Sequence, residues 1–593
     1  MATAPQATKK DDSSLLLPLG ALGLILFLAV QFVRDDNTAN TVQFFISIAF
    51  GGVVLWGHWL TEQGRGKELQ RTRDRILVVL GLGGALAYPN FGHLHFGNFL
   101  HIWDTYHYYM GSKYAPELGY DLLYDCSIVA DLEKGASDPQ FRVIAENAKK
   151  RIITDLRTNV MVHTDKLVED PTICTSHFTP ARWEAFKRDI DFFRGRVSDQ
   201  RWKEIHHDHG YNATPVWTLM GWLLTNTGPA TLEQVTSLNL IDPLYIALAA
   251  ALIYWAFGPR VFALSMLMLG CNFPNRYYWT GGAFLRHDWL FYTVAVVCLL
   301  KKEKFFLAGL SLAYCTLLRL FPGLLVLGPL LAGVEYVRLH KKLDPRFLRF
   351  VAGGALGCAL LIPASFAIGE GAQTWVRFAQ NTTKHANTPL TNHMGLRSVL
   401  GYRPSMVGRN MRDGSQIDAW QGWKNGRLEK FRDLKVAFIA ILLGAAALIY
   451  LAIRHTGVEY WMAAAMGCGY IVFGAELTCY YYCFLMGVAC LYEKRREVAV
   501  LLCAMAAMTE FIHLGPIPGM SGWEDEQYVG MSVAALLAMG GIWWLFTKWG
   551  SQGALPQEAE PELFDGLALA GGGTTSASAV PDERKRDRKK KKR

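Results

Sequence analysis

Apolar residues along this chain gather in blocks long enough to cross a lipid bilayer. Of its 593 residues 51% are hydrophobic, and runs of roughly 15 to 22 apolar residues recur almost to the C-terminus. Because backbone inside lipid must satisfy its own hydrogen bonds, these blocks predict transmembrane helices. We predict an all-α polytopic membrane protein with about fourteen spans, at 15–33, 41–60, 76–92, 240–257, 259–271, 285–300, 304–318, 322–337, 350–369, 436–453, 458–474, 478–492, 498–514 and 529–548.

Lysine and arginine set the predicted orientation, because cytoplasmic loops of membrane proteins carry an excess of them. Four short loops are strongly basic: 62–75, 301–304, 338–349 and 494–496. Placing these loops in the cytoplasm puts both termini there as well. Three outside segments remain, at 93–239, 370–435 and 515–528. The mixed-charge stretch 424–435 is the one basic segment that then falls outside.

The segment 93–239 is far longer than a connection requires, and long loops commonly carry function. Its middle, about 131–205, alternates charged and apolar residues at helical spacing, which predicts amphipathic helices on the membrane surface or against the bundle. Residues 214–225 are apolar but too few to span, and they predict a re-entrant or interfacial helix. Cys126 and Cys174 lie in the same segment and can form a disulfide if the compartment is oxidising.

The net charge of +9 comes almost entirely from the last ten residues. Residues 584–593 hold nine Lys or Arg and one Asp, which gives +8, and they follow the linker-like sequence GGGTTSASAV. The rest is nearly neutral, so no nucleic-acid partner is expected. We divide the chain into an N-terminal transmembrane hairpin with its basic loop (1–75), a membrane domain (76–548) and a disordered cytoplasmic tail (549–593). The tail either contacts anionic lipid headgroups or only adds solubility.

The first candidate for chemistry is Asp104, which follows the third predicted span in HIWDTYHYYMGSKYAPELGYDLLYD. Trp103, Tyr106 and Tyr108 surround it in sequence. A carboxylate at the membrane edge among aromatic rings is partly desolvated, which favours a raised pKa and proton-accepting work. An interfacial aromatic belt with an ordinary loop aspartate explains this segment equally well.

Two further polar clusters stand beside apolar blocks. HHDHGYN at 206–212 has three His and one Asp within four positions. Such side chains bind metals, but adjacent residues rarely all face one ion, so we expect only one or two to line a site. GGAFLRHDW at 281–289 places Arg286, His287 and Asp288 at the outer end of a span, and Arg319 raises the same question. Such charges either pair within the bundle or line a cavity.

Four arginines of the outside segment 385–412 form a candidate phosphate site: Arg397, Arg403, Arg409 and Arg412. Guanidinium groups suit phosphate oxygens because they offer paired donors. A solvated basic loop explains the same residues, and the sequence leaves both interpretations open.

Taken together, these elements resemble the GT-C superfamily of membrane glycosyltransferases. The resemblance covers roughly 76–410, and it is strongest to the polyprenyl-phosphate-mannose-dependent mannosyltransferases of family 87 and to the catalytic subunit of GPI mannosyltransferase I. It rests on Asp104 with Tyr106 and Tyr108, the G-x-x-LY-like stretch 119–124, the Y-x-P-hydrophobic stretch 211–217, the turn, span and basic loop at 281–304, the elements 308–309 and 319–322, and the N-x-S-like segment 392–401.

The resemblance implies an inverting transfer of a mannose-like sugar from a polyprenyl-phosphate donor to a glycan or lipid acceptor outside. Asp104 would be the general base, and Arg397 and Arg403 would stabilise the departing phosphate. Residues expected to bind substrate also include His107, Tyr108, Asp208, His209, Arg286, Asp288 and His393. Family members with a D-x-D or D-x-E motif use a divalent metal, but residues 104–106 lack the second carboxylate. We therefore expect no metal or other cofactor.

The implied location is the bacterial inner membrane, or the ER membrane in a eukaryote. A different class, a secondary transporter or lipid flippase, also uses long helical bundles with buried charge. Such proteins often contain internal repeats, which we do not find in this sequence, and an outside segment as long as 93–239 is unusual among them.

Overall fold

The computed structural model describes residues 27–28, 30–515 and 525–548. The chain divides into two compact units, Met1–Leu555 and Pro556–Arg593, and the second unit lies outside the described residues. Most of the first predicted span, 15–33, and the predicted tail, 549–593, lie outside them too. Within the described ranges the chain is built almost entirely of helices, which confirms the all-α class.

Seven helices in the described part of the chain are long and apolar enough to cross a membrane: Asp36–Glu62, Leu232–Phe257, Phe321–His340, Pro345–Ala367, Lys435–Thr456, Arg496–Leu514 and Asp525–Thr547. The protein is therefore an all-α membrane protein. The expected count of about fourteen spans is not confirmed.

Other predicted spans are short or interrupted helices. Gln70–Ala87 has 18 residues, four of them charged, and the shorter helices are Pro259–Gly270, Asp288–Lys301, Phe305–Leu318 and Tyr460–Gly474. The predicted span 478–492 consists of three pieces: the 3-10 turn Cys479–Phe484, the helix Leu485–Ala489 and the 3-10 turn Cys490–Glu493. A helix of about 15 residues extends about 22 Å, less than the hydrocarbon core of roughly 30 Å. This difference in length explains why apolar blocks outnumber membrane-length helices.

The segment 93–239 holds many short helices, at Ile102–Lys113, Ala115–Leu118, Leu123–Ser137, Arg142–Lys149, Asp165–Glu169, Thr172–Thr175, Pro180–Arg194, Asp199–Ile205 and Pro215–Thr225. The last of these has eleven residues, in agreement with a helix too short to span. The pairing left open above is present as a disulfide between Cys126 and Cys174, both of which are fully buried. The bond joins the third of these helices to the sixth.

One part of this segment is not the amphipathic helix that its spacing predicts. Helix Arg142–Lys149 ends early, and an antiparallel hairpin of Ile152–Asp155 with Val160–His163 follows. The β-branched residues of the first strand favour extended backbone. Asn159 adopts a φ of 58° in the turn, a conformation that asparagine tolerates better than most residues. The second predicted amphipathic helix is present as Pro180–Arg194.

The later long segment, 370–435, which is predicted to lie outside, contains four helices: Gln373–Ala386, Leu396–Leu400, Gly408–Met411 and Gln421–Asp433. A second antiparallel strand pair joins His393–Met394 to Leu477–Thr478, with His393 opposite Thr478. This pairing brings the residues that follow position 390 beside the interrupted segment near 478.

Two helices of the bundle approach each other through glycine. At Gly309, in helix Phe305–Leu318, an added Cβ would collide with the backbone oxygen of Phe350, and at Gly353 it would collide with that of Phe306. Only glycine permits this backbone contact on both sides, as small residues do between membrane helices.

Candidate active site

A cavity of about 740 Å³ lies between the two long segments 93–239 and 370–435 and the adjoining ends of the bundle helices. Its walls come from helix Ile102–Lys113 (the Asp104 helix), the loop 208–212, residues 320–324, the stretch 382–397, and the regions 431–439 and 474–481. Seven of the ten predicted site residues line it: Asp104, His107, Tyr108, Asp208, His209, His393 and Arg397.

Asp104 lies in the first turn of its helix, where His101 Nδ1 accepts a hydrogen bond from the Asp104 N–H at 3.1 Å. Its Oδ2 is 2.9 Å from Nε of Arg286, an ion pair that lacks the alignment of a hydrogen bond. The Asp104 side chain is 15% exposed and that of Arg286 only 1%. Burial raises the pKa of Asp104 to about 6, with Arg286 opposing and Asp208 adding to the rise. A carboxylate with this pKa can accept a proton near neutral pH.

Arg286 and Asp288 do not line the cavity. The guanidinium of Arg286 is buried behind Asp104, with Cζ 4.2 Å from the ring centre of Tyr108. Arg319 Cζ approaches the same ring at 5.1 Å, and Asp288 accepts from the N–H of Trp289. The position of Arg286 makes it an electrostatic partner of Asp104 rather than a side chain open to a ligand.

Asp208 is the second carboxylate of the cavity and is held by hydrogen bonds. Its Oδ2 accepts from the indole N–H of Trp103 at 2.6 Å, and its Oδ1 accepts from the N–H of His209 at 2.8 Å. Burial alone would raise the pKa of Asp208, but His107 and His209, together with these hydrogen bonds, lower it. The two carboxylates therefore differ in the pH at which they take up a proton.

The other histidines of the cluster at 206–212 turn away from the cavity. His206 is fully buried, with Nδ1 2.8 Å from the backbone oxygen of Trp202, and His207 Nε2 is 3.1 Å from that of Ile152. Among residues 27–28, 30–515 and 525–548, no group of three or more His, Cys, Asp or Glu is arranged to hold a metal ion. Four residues of this cluster line the cavity, Asp208, His209, Gly210 and Asn212, and the first two are the ionisable ones.

A tyrosine hydroxyl links the Asp104 helix to the loop that carries Asp208. Tyr124 Oη is 2.7 Å from His107 Nε2 and accepts from the N–H of Gly210 at 3.0 Å. Tyr108 Oη donates to Asn212 Oδ1 at 2.6 Å. These bonds fix the spacing between the two carboxylate-bearing elements.

Another wall of the cavity is formed by the short strand His393–Met394, its partner strand Leu477–Thr478 and the residues beside them. Arg397 Nε lies 3.4 Å from Glu476, and its Nη1 donates to the backbone oxygen of Ala386 at 2.7 Å. His393 Nδ1 is 3.9 Å from the same Glu476, and burial lowers the pKa of His393 to about 4. Arg403 lies away from the cavity, 3.7 Å from Asp433 and 3.9 Å from Glu429.

Several lining residues were not predicted, notably Lys435, Glu476, Tyr480, Tyr481 and His385. Lys435 is the first residue of the membrane-length helix Lys435–Thr456, and it lines the cavity together with the apolar side chains Leu320, Leu324, Phe431, Phe438 and Ile439. A signal for Lys435 existed, because it ends the basic stretch 424–435 that does not fit the orientation rule.

The cavity thus has a polar part with three carboxylates and four histidines whose pKa burial lowers, and an apolar part next to a membrane-length helix. No protein-family model, no curated protein and no solved structure matches this chain.

Proposed function

We propose that this protein is an integral membrane glycosyltransferase that moves a sugar from a polyprenyl-phosphate donor to an acceptor hydroxyl with inversion. The observation that carries the proposal is the composition of one cavity. A carboxylate whose pKa is about 6 faces the same space as an apolar wall with a lysine at the start of a membrane-length helix. A lipid-linked sugar phosphate needs both kinds of surface, and the acceptor needs the base.

In this mechanism the acceptor oxygen attacks the anomeric carbon while Asp104 takes the hydroxyl proton. The bond from the anomeric carbon to the phosphate oxygen breaks, and polyprenyl phosphate leaves with the electron pair. Lys435 and Arg397 are the cations that line the cavity, and we assign them to the departing phosphate. Arg286 forms an ion pair with the base, with its Nε 2.9 Å from Asp104 Oδ2.

The resemblance to GT-C enzymes adds the finer terms of the proposal: a bundle of about fourteen spans, a mannose-like sugar, and a glycan or lipid acceptor. His107, Tyr108, Asp208 and His209 would bind the hydroxyl groups of sugar or acceptor. The membrane would be the bacterial inner membrane or the ER membrane, with both termini cytoplasmic and the cavity outside.

A transporter or lipid flippase is the second candidate, and Glu510 favours it. This residue lies inside helix Arg496–Leu514, is fully buried, and among the residues that the structure describes has no hydrogen-bond partner at either carboxylate oxygen. Carboxylates buried within membrane helices commonly mark ion pathways. Glu510 does not line the cavity, so the two candidates depend on different residues.

The test uses purified protein in proteoliposomes with polyprenyl-phosphate mannose and a mixture of candidate acceptors. We expect Asp104→Asn to abolish sugar transfer and Asp165→Asn, an exposed carboxylate of the same outside segment, to leave it unchanged. Full transfer by Asp104→Asn would overturn the base assignment. Donor flipping lost in Glu510→Gln, without transfer in any variant, would instead establish transport.

A further inference from the structure

Asp242 is a buried carboxylate that the proposed reaction does not use. It lies at the start of helix Ile241–Phe257 and is 1% exposed. Its Oδ1 accepts from the backbone N–H groups of Arg286 at 2.7 Å and His287 at 2.8 Å, and its Oδ2 lies 2.6 Å from His287 Nδ1. One carboxylate therefore binds both residues at the end of the turn that carries Arg286.

The imidazole of His287 extends this network. Its Nε2 is 3.0 Å from the hydroxyl of Tyr88. In the neutral tautomer whose Nδ1–H donates to Asp242, Nε2 accepts a hydrogen bond from the Tyr88 hydroxyl. Tyr88, His287 and Asp242 are absent from the cavity wall, so this network acts on the position of its neighbours rather than on a substrate.

The turn itself has a backbone that requires support. Gly282 and Leu285 have φ values of 67° and 50°, and the left-handed region is unfavourable for leucine. The indole N–H groups of Trp217 and Trp289 donate to the backbone oxygens of Leu285 and Arg286 at 3.1 and 2.8 Å. Those bonds hold the carbonyl side, and Asp242 holds the amide side.

We propose that Asp242 is a positioning residue that fixes the turn 282–287 and thereby holds the Arg286 guanidinium against Asp104. This inference rests on the proposed function, because it assigns Asp242 to the geometry of the proposed base. Asp242 bonds to the backbone of Arg286, so its loss changes where the guanidinium lies and leaves Asp104 itself in place.

The direction in which the pKa of Asp104 shifts on loss of Asp242 distinguishes displacement of Arg286 from simple loss of the Asp242 charge. The ionisable groups around Asp104 and its neighbour Trp103 come from several elements: His101, His107, Tyr108, Arg201, Asp208, Asp242, Arg286, Arg319 and Tyr480. Arg286 is the largest of the influences that lower the pKa of Asp104, whereas the charge of Asp242 raises it slightly. Displacement of Arg286 therefore raises the pKa of Asp104, while simple loss of the Asp242 charge lowers it.

The experiment compares Asp242→Asn with wild type as full-length protein in proteoliposomes. We expect kcat to fall about a hundredfold, as for misplacement of a reacting group, with a small change in KM for the donor. We also expect the acid limb of the pH–rate profile to move above about pH 6. An acid limb that moves to lower pH, or does not move, would overturn the positioning role.

Two variants of His287 test the contact between this residue and Asp242 while the Asp242 carboxylate is kept. His287→Asn keeps an N–H donor near the position of Nδ1, and His287→Phe removes it at similar volume. We expect the asparagine variant to retain at least tenfold more activity than the phenylalanine variant. Equal activity of the two would contradict the proposal, and thermal unfolding of both checks that each is folded.

A titration of Asp104 without substrate separates the role of Asp242 from sugar transfer. Infrared difference spectra between wild type and Asp104→Asn identify the carboxyl band of Asp104 and give its titration without any substrate. We expect the titration midpoint to rise in Asp242→Asn. If no variant transfers sugar but this midpoint rises, the proposed function fails while the clamp on Arg286 stands. An unchanged or lowered midpoint overturns the clamp itself.

Discussion

At the scale of single residues, Asp104 and Asp208, two of the three carboxylates that line the cavity, respond differently to burial. Asp104 meets one ion-pair partner, and burial raises its pKa to about 6. Asp208 accepts from Trp103 and from the backbone of His209, and these groups with His107 lower its pKa despite burial. Such separation of two neighbouring carboxylates distinguishes a proton acceptor from a charged partner.

We expect sugar transfer to decline as the pH falls through about 6. A general base acts only as the carboxylate, and Asp104 is half protonated near that pH. Below it, kcat/KM should drop about tenfold for each pH unit. The profile is measured in proteoliposomes between about pH 5 and 8, with thermal unfolding recorded in parallel as a control. A constant rate down to about pH 5 would contradict the role of Asp104.

We expect Lys435→Gln to raise KM for the polyprenyl-phosphate donor about tenfold and also to lower kcat, because the departing phosphate loses a cation. Lys435 lies at the apolar part of the cavity, where a cation binds donor phosphate before and during the reaction. Initial rates at varied donor concentration measure both changes. Lys430→Gln, which changes a lysine that does not line the cavity, is the matched control. Identical donor KM in both variants would remove Lys435 from the phosphate site.

Much of the cavity wall was predictable at this scale, because His, Asp and Arg in outside segments stand out beside apolar spans. Arg286 is predicted to bind substrate. It follows a turn with left-handed backbone, and the sequence alone does not predict which way a side chain in such a turn points. Glu476 and Tyr480 lie in apolar sequence without periodicity, and a two-residue strand pair positions them. Such short pairing depends on tertiary contacts and has no local signal.

At the scale of elements, helical periodicity predicted Pro180–Arg194 correctly and failed for 152–163. Charged and apolar residues alternate in both stretches, but the second has β-branched residues and a turn at Asn159. A short amphipathic pattern fits helix and strand alike. The pairing of Cys126 with Cys174 was open for a similar reason, since it depends on how three-dimensional neighbours meet.

We expect replacement of both Cys126 and Cys174 by serine to lower the stability of the outside segment by about 2–5 kcal/mol, a typical cost of removing a native disulfide. The bond closes a sequence separation of 48 residues next to the tyrosine that spaces His107 and Gly210. Thermal unfolding of purified protein with and without reductant measures the loss. Cys358→Ser, a free cysteine, is the control and should leave the midpoint unchanged.

We expect Gly353→Ala to destabilise the bundle by about 1–3 kcal/mol through overpacking. An added Cβ there meets the backbone oxygen of Phe306, which cannot rotate away. Gly354→Ala is the matched control, because its nearest neighbour is Gly309 O at 3.6 Å, an ordinary contact. Unfolding midpoints in detergent compare the two variants. Equal midpoints would contradict the close backbone approach.

At the scale of the whole molecule, the apolar blocks identified the membrane class but not the number of crossings. Hydropathy identifies apolar blocks, whereas a helix that crosses the membrane must also be long enough. Helices such as Pro259–Gly270 and Phe305–Leu318 are shorter than the thickness of the bilayer. The N-terminal helix Asp36–Glu62 packs on later ones, with Arg496 Nη1 donating to Thr61 at 2.8 Å. Sequence blocks alone do not reveal such contacts between distant spans.

We expect the cavity to face away from the cytoplasm. In a cysteine-labelling experiment, Val162→Cys should react with a membrane-impermeant maleimide added from outside. Lys342→Cys should react only after the membrane is permeabilised, because it lies in a basic loop. Both positions are exposed, and the free native cysteines in the described ranges are buried or half-buried, which limits background. The reverse pattern of labelling would invert the proposed orientation.

The bond between Cys126 and Cys174 also affects how the protein is produced. Cysteines separated by 48 residues can join only after the second one has been synthesised and has reached a compartment that oxidises thiols. Folding of this segment is therefore completed only where thiols can be oxidised. For recombinant work, the choice of a strain that supports oxidative folding should determine the yield of active material more than promoter strength does.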